Sequence, residues 1–194
     1  MRTLIRQSLI VFGVMTVLTG LIYPLVVTGI AQALFPWQAN GSIIERGGKA
    51  VGSALIGQEF VSKDYFWSRP SATTPPYNAA SSTGSNLAPT GKAEEDLVTK
   101  RAQELKSADP LHRGAIPVDL LTASGSGLDP DISPAAAYYQ VPRVAAARDI
   151  PTGRLDALVE HMTKQRFLGV IGEPRVNVVE LNLALDRVDR HAGT

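Results

Sequence analysis

Between Arg6 and Glu45 the chain carries no charged side chain, and Leu9 to Phe35 is built almost wholly from Leu, Ile, Val, Phe, Gly, Thr and Ala. As a helix that stretch rises about 40 Å, more than the ~30 Å hydrocarbon layer of a bilayer, so it spans with room to tilt. The chain reads as a protein with one membrane span. The rival reading is a cleavable signal peptide, because Arg2 and Arg6 make a basic start and Ala31-Gln32-Ala33 has the small-x-small form of a cleavage site. The apolar run exceeds the ~7–15 residues of such a peptide's core, and bulky Leu34 and Phe35 would follow the cut directly, which favours a permanent anchor. Flanking charge predicts the orientation. Arg2 and Arg6 precede the span, whereas Glu45, Arg46 and Lys49 come well after it. The positive-inside rule then makes residues 1–8 cytoplasmic, 9–35 a transmembrane helix and 36–194 an extracytoplasmic domain, periplasmic or extracellular in a bacterium.

Gly13, Thr16, Gly20, Pro24, Thr28 and Ala31 recur every three or four residues along the span, a stripe of small side chains on which a partner helix can pack closely. Pro24 is expected to kink the helix. The span holds no Asp, Glu, Lys, Arg or His, the groups that mark ion and proton paths, and one helix cannot enclose a pore. Any transport conduit belongs to other chains.

In the full 194 residues, 19 basic side chains stand against 18 acidic ones with no Lys/Arg run, which argues against nucleic acid as a partner. With no cysteine, disulfides, thiolate zinc sites, iron–sulfur clusters and thiol nucleophiles are all excluded.

Beyond the span the pattern is that of an α+β domain in which helices predominate beside a small sheet. Ser42–Glu45 and Val51–Ile56 flank Gly47-Gly48 and predict a hairpin. The Ser-, Thr-, Asn-, Pro- and Gly-rich stretch from about 65 to 91 predicts a long irregular segment, which in a small domain is either functional or disordered. Glu94–Lys106 predicts a helix with Val98, Ala102 and Leu105 on its apolar face and Asp96 spaced to pair with Lys100. Val118–Leu121 predicts a strand. Ser133-Pro134 is an N-cap and first-turn pair opening an Ala-rich helix that Pro142 should interrupt or restart. Leu155, Leu158, Val159 and Met162 mark a helix over Gly153–Arg166. Asn177 with Glu180 reads as a capping box before a helix carrying Val178, Leu181, Leu185 and Val188, with a strand over Val178–Leu185 as the weaker alternative.

Catalytic signatures fail one by one. Gly84 and Gly91-Lys92 are too widely spaced for a phosphate-binding loop, and Ala93 stands where a magnesium-binding hydroxyl is required. Ser124 and Ser126 lack nucleophile-elbow spacing, and His112, His161 and His191 form no zinc-binding pair. Asp129-Pro130-Asp131 is a carboxylate pair without the rest of a calcium loop, and reads as a turn leading to Ser133. No DKTG run is present, so this is not the phosphorylated chain of a P-type ATPase. No catalytic residue and no metal ligand is assigned, and no cofactor-binding residue can be named.

Seven strings in order are harder to read as generic: FPWQANGS from Phe35, GSALIGQ from Gly52, YFWSRPSA from Tyr65, YNAASSTGSNL from Tyr77, TASGSGLDPDISPAAA from Thr122, QVPRVAAAR from Gln140 and VNVVELNLALD from Val176. Together they closely resemble the C-subunit family of the Kdp potassium-transporting P-type ATPases, from the span almost to the C-terminus. Thr83, where that family tends to have glycine, departs from the pattern, and Ser107–Ala115 matches none of it. The resemblance implies an accessory subunit of a bacterial inner-membrane potassium pump, not an enzyme by itself. Its partners would be a channel-like, potassium-binding A subunit, an ATP-hydrolysing B subunit and a small F subunit, within membrane lipid. It also implies a catalytic chaperone that raises the B subunit's affinity for ATP, with a suggested nucleotide contact that would bring ATP to this chain through the complex, and potassium as the transported ion.

ATP is cytoplasmic and the polar part of this chain is expected outside, so such an effect is expected to travel through helix packing. For the outer domain, Tyr65, Phe66, Trp67 and Arg69 are of interface hot-spot type and are expected to dock on the potassium-receiving subunit; the competing expectation puts the aromatics in the domain's own core. A membrane-anchored periplasmic hydrolase or solute-binding domain, built on the Gly/Ser loop with Asp129 and Asp131, is the reading from a different class.

Overall fold

The computed structural model describes residues 1–110, 112 and 114–190. They form two compact units, Met1–Val51 and a second beginning at Gly52. His191 lies outside the described residues, as do Leu111 and Arg113 of the Ser107–Ala115 segment.

The first unit is helix from Arg2 to Leu34: α1 (Arg2–Val17), a π turn (Leu18–Ile22) and α2 (Tyr23–Leu34). This is the one helix among the described residues long and apolar enough to cross a membrane. It buries no residue in its own chain, as expected of a helix whose solvent is lipid. The break expected at Pro24 takes the form of the π turn just before it. A π turn holds about one residue more than an α turn, which rotates everything beyond it by ~100° relative to an unbroken helix. The stripe expected as one line is thereby divided, with Gly13, Thr16 and Gly20 on one line and Pro24, Thr28 and Ala31 on another.

A short α3 (Pro36–Ala39) follows, tied back by the Asn40 side chain, which donates to Gln32 Oε1 at 3.1 Å and to the Pro36 carbonyl at 2.6 Å. Strands β1 (Ile43–Arg46) and β2 (Lys49–Ser53) make the expected hairpin, with a connection three residues shorter than its sequence limits. Gly47 and Gly48 take φ of +59° and +74°, the left-handed pair that a two-residue turn matched to strand twist requires.

In the second unit, α4 (Lys92–Ala108), α5 (Pro134–Arg148), α6 (Thr152–Met162) and α7 (Val178–Arg190) surround an antiparallel sheet of three short strands, β3 (Asp131–Ile132), β4 (Thr163–Lys164) and β5 (Arg175–Asn177), in the order β3-β5-β4. Helices α5, α6 and α7 pack on one another and on β5. Their apolar faces, including Val144, Leu155, Val159, Val178, Leu181 and Leu185, are completely buried. The caps form as the sequence indicates: Ser133 Oγ accepts the Ala136 N–H at 3.1 Å, and Asn177 Oδ1 accepts that of Glu180 at 3.0 Å.

Four local expectations are corrected. Val118–Leu120 is a 3-10 turn, because Asp119 bends back to accept Ser133's N–H at 2.7 Å. Helix α5 continues unbroken through Pro142, whose exposed ring is carried in a helix held by burial on its other face. Helix α6 stops at Met162 so that Thr163 and Lys164 can pair with β5. On α4, Asp96 pairs with Lys92 at 3.3 Å while Lys100 turns to Glu104 at 3.9 Å. Val178–Leu185 is helix, as first expected from its Asn177 cap, and not the weaker strand alternative.

Candidate functional site

Residues 57–91 contain no helix or strand, so their backbone polar groups need partners from elsewhere. Two buried carboxamides supply them at the YFWSRPSA motif. Asn182, on α7, accepts the Phe66 N–H and donates to the Phe66 carbonyl, both at 2.9 Å. Gln140, on α5, accepts the Trp67 N–H at 2.7 Å and donates to the Trp67 carbonyl at 3.1 Å. Each side chain imitates a neighbouring strand for one residue, and the two together clasp the loop to both helices.

Arginines complete the clasp. Arg143 donates to the carbonyls of Lys63 and Tyr65 and to Gln140 Oε1, and its guanidinium lies 4.4 Å over the Trp67 ring. Burial pushes its pKa down to about 10, still far enough above neutrality to keep the charge these bonds use. Arg148 donates to the Asp64 carbonyl and to Asp186, and covers the Tyr65 ring at 4.5 Å; the Tyr65 hydroxyl donates to the same Asp186 carboxylate at 3.0 Å.

The aromatic motif therefore faces inward. Phe66 is completely buried in the core, with Tyr65 and Trp67 half-buried against it. The docking expectation fails for Phe66 and meets Tyr65 and Trp67 with their rings already covered by arginines; the competing expectation of a core role describes all three. Asn182, Gln140, Arg143, Arg148 and Asp186 are the residues the sequence reading passed over. Their signal was there: polar side chains beside the buried stripes of α5 and α7, where a packed helix face ordinarily places apolar ones.

Arg69, the fourth expected docking residue, anchors a second loop contact. It pairs with Asp129 at 3.2 Å, and its Nε is buried without a partner. The Tyr77 hydroxyl donates to the Arg69 carbonyl, and burial pushes its pKa up to about 12, so it remains a phenol. Ser71 Oγ donates to the Gly127 carbonyl at 2.7 Å, and the Thr83 N–H donates to the Ser126 carbonyl at 3.0 Å, so the 71–84 loop lies on the 122–131 loop. Gly127 permits this with φ of +67°. A Cβ there would stand 2.6 Å from the Thr83 carbonyl oxygen and 2.8 Å from Thr73 Cγ2.

Three clefts border Arg69. One, of about 510 Å³, has Trp67, Tyr77, Arg101 and Glu104 in its walls; another, of about 560 Å³, is bordered by Asp119, Asp129, Asp131, Glu173 and Arg175. The hydroxyls of Ser124 and Ser126 are engaged with the N–H groups of Gly127 and Leu128 in the turn, at 2.9 and 3.1 Å. His112 packs tilted against the Tyr139 ring, and His161 lies exposed on α6. Gly91 caps α4 through its backbone, and Lys92 points to Asp96 rather than into a phosphate cradle.

The Asp129-Pro130-Asp131 run is the expected turn: Asp129 Oδ1 accepts the Asp131 N–H at 3.0 Å, and the Asp131 carboxylate pairs with Arg175 at 2.9 Å. Burial raises the Asp131 pKa above the ordinary 3.8, outweighing the pull of half-exposed Arg175. The folded state therefore holds this proton more tightly than the unfolded chain, so stability falls as pH rises through the folded value. Asp131→Asn is expected to leave the unfolding midpoint at neutral pH unchanged or slightly higher, by under about 1 kcal/mol, and to reduce the stabilisation gained on mild acidification. Thermal melts at two pH values check both outcomes.

The most exposed apolar surface of the second unit is the tip of the β4–β5 connection. Phe167, Leu168, Val170 and Ile171 are 60–78% exposed. Phe167 and Ile171 bridge, Leu168 and Gly169 turn at φ of +52° and +75°, and an Arg166–Glu173 ion pair at 2.5 Å closes the base. The run Phe-Leu-Gly-Val-Ile between two charged residues was the sequence signal for it.

A family model described as KdpC: K+-transporting ATPase, c chain, matches residues 5–187. The chain is 58% identical over 189 residues to the potassium-transporting ATPase KdpC subunit of Herpetosiphon aurantiacus, a match covering 97% of this chain and 98% of that one. To the subunit of the same name from Ralstonia nicotianae it is 59% identical over 183 residues, 94% and 90% of the two chains, and to that from Dechloromonas aromatica 54% identical over 191 residues, 98% and 100%. Because both the anchor and the clasped domain lie inside these matches, the chain belongs to the KdpC family, the c chain of K+-transporting ATPases.

Proposed function

We propose that this chain is the accessory subunit of a bacterial ATP-driven potassium uptake complex. It stabilises assembly of a channel-like A subunit with an ATP-hydrolysing B subunit and a small F subunit, and acts as a catalytic chaperone toward the B subunit. Family membership supports the subunit role. The observation that carries the structural reading is the apolar tip. Four large apolar side chains held out on a closed turn, in a domain whose Tyr65-Phe66-Trp67 run is clasped inward, form the kind of surface that marks a protein contact.

In this reading the span sits in the inner membrane with the N-terminus cytoplasmic, and the domain rests on the outer face of the channel-like subunit with Phe167, Leu168, Val170 and Ile171 as its contact. ATP affinity is then raised through packing between subunits, as a coupling free energy, without nucleotide touching this chain. Potassium is the cargo of the complex.

Co-purification of the full chain from membranes with the A and B subunits tests the proposal. Leu168→Asp is expected to lower recovery of the complex at least fivefold while leaving the domain's unfolding midpoint within about 0.5 kcal/mol of wild type, since the side chain is 78% exposed. A chain that purifies alone and binds or turns over a small solute unaided would establish the autonomous solute-binding or hydrolase reading instead. Crosslinking of a photoreactive ATP analogue to this chain in intact, oriented complexes would overturn the packing route.

A further inference from the structure

The anchor's hydrogen-bond ladder breaks at the π turn, where Pro24 also leaves the Gly20 carbonyl without its usual donor four residues on. At the end of the π turn the Tyr23 N–H reaches back to the Leu18 carbonyl, five residues away, and not to Thr19. The next residue is Pro24, which has no N–H to give. The Thr19 carbonyl thus loses both backbone donors within reach, one committed elsewhere and one missing. Nearby hydroxyls do not repair the gap: Thr16 donates backward to the Phe12 carbonyl at 2.8 Å, and Thr19 to that of Met15 at 2.7 Å. Gly20, the next residue, adds no side chain over the oxygen, and nothing occupies the space where its Cβ would lie.

In water this would matter little, because solvent would supply the donor. Within a hydrocarbon layer an unpaired carbonyl is strongly unfavourable, and breaks of this kind are tolerated where neighbouring protein re-satisfies the freed group. We propose that the Thr19 carbonyl accepts a hydrogen bond from a donor side chain, a hydroxyl, carboxamide or indole, on a transmembrane helix of a partner subunit. The inference rests on the subunit reading above and adds the chemistry of one contact to it. A second copy of this chain fits poorly. Its nearest donors at that depth, Thr16 and Thr19, are already engaged, which leaves only Tyr23 beside the break and Thr28 and Gln32 further along the span.

The test uses the full-length chain in lipid nanodiscs, alone and in the assembled complex, carrying carbon-13 at threonine carbonyls and nitrogen-15 at glycine. Only five Thr-Gly pairs carry both labels, beginning at Thr19, Thr28, Thr83, Thr90 and Thr152. Thr19→Ser removes one signal and so assigns it, while Thr28, inside the unbroken ladder of α2, serves as the hydrogen-bonded reference. In the chain alone the Thr19 carbonyl is expected upfield of Thr28, and on assembly it should move downfield to join it. Pro24→Ala, which returns an N–H, should bring the two signals together without any partner and lower recovery of the complex severalfold.

A complex that forms with the Thr19 signal unmoved overturns the hydrogen bond while leaving the subunit reading intact. Coincidence of the two signals in the wild-type chain alone overturns it too, because the donor would then be water or the chain itself. Failure of the wild-type chain to assemble with any partner overturns the subunit reading and this inference with it.

Discussion

Asn182→Leu is expected to destabilise the second unit by roughly 3–5 kcal/mol, because it strands two buried backbone groups at once. Asn182 is 2% exposed and Phe66 is fully enclosed, so neither the N–H nor the carbonyl of Phe66 can turn to solvent when the carboxamide is gone. Leucine fills a comparable volume, so the loss reports unpaired polar groups more than a cavity. For a unit of this size the melting temperature should fall by about 10 °C or more. Gln140→Leu strands the Trp67 pair and also removes the acceptor for Arg143, and should lose a similar amount. The double variant should lose less than the sum, since once the loop is released the second amide has nothing left to hold. The chain contains two tryptophans, so in a Trp37→Phe background Trp67 alone reports the loop's release from under Arg143. Equal melting of wild type and Asn182→Leu would show that the clasp holds nothing.

That clasp marks where the sequence stopped being legible. Elements whose information is local were readable in advance: the uncharged span, the glycine pair in its hairpin, the Ser133 and Asn177 caps and the apolar stripes of α4, α6 and α7. Each depends on neighbours within four residues. The Tyr65–Gly91 segment was readable only as irregular, because its order is non-local: Phe66 meets Asn182 across 116 residues and Trp67 meets Gln140 across 73. Aromatic residues beside an arginine look alike whether they face a partner or a core, and only the facing amides decide. Pro142 misled for a related reason, since tertiary burial on α5 outweighed the local preference to break. The apolar tip at Phe167–Ile171 was visible as a short apolar run, but short runs are more often core than surface, and nothing nearby in sequence says otherwise.

Gly20→Leu is expected to reduce recovery of the assembled complex at least tenfold without impairing membrane insertion, which separates a packing defect from a folding one. Leucine is favoured in lipid, so the anchor itself should be as well inserted as before. What it would lose is close approach: Gly20 follows Gly13 by seven residues, two turns along one face, and the absence of side chains there is what lets another backbone come near enough for extensive dispersion contact. The π turn sharpens the expectation. Because it carries Pro24, Thr28 and Ala31 round to a second line, Gly13, Thr16 and Gly20 are expected to serve one partner helix and the later residues another, as in an anchor wedged between two neighbours. Gly20→Leu and Thr28→Leu should then weaken association with different subunits, read by which chain is lost from the purified complex. Val11→Phe, about 160° round the helix from Gly13, should change neither. Loss of the same subunit from both leucine variants would mean that a single face serves a single neighbour despite the turn.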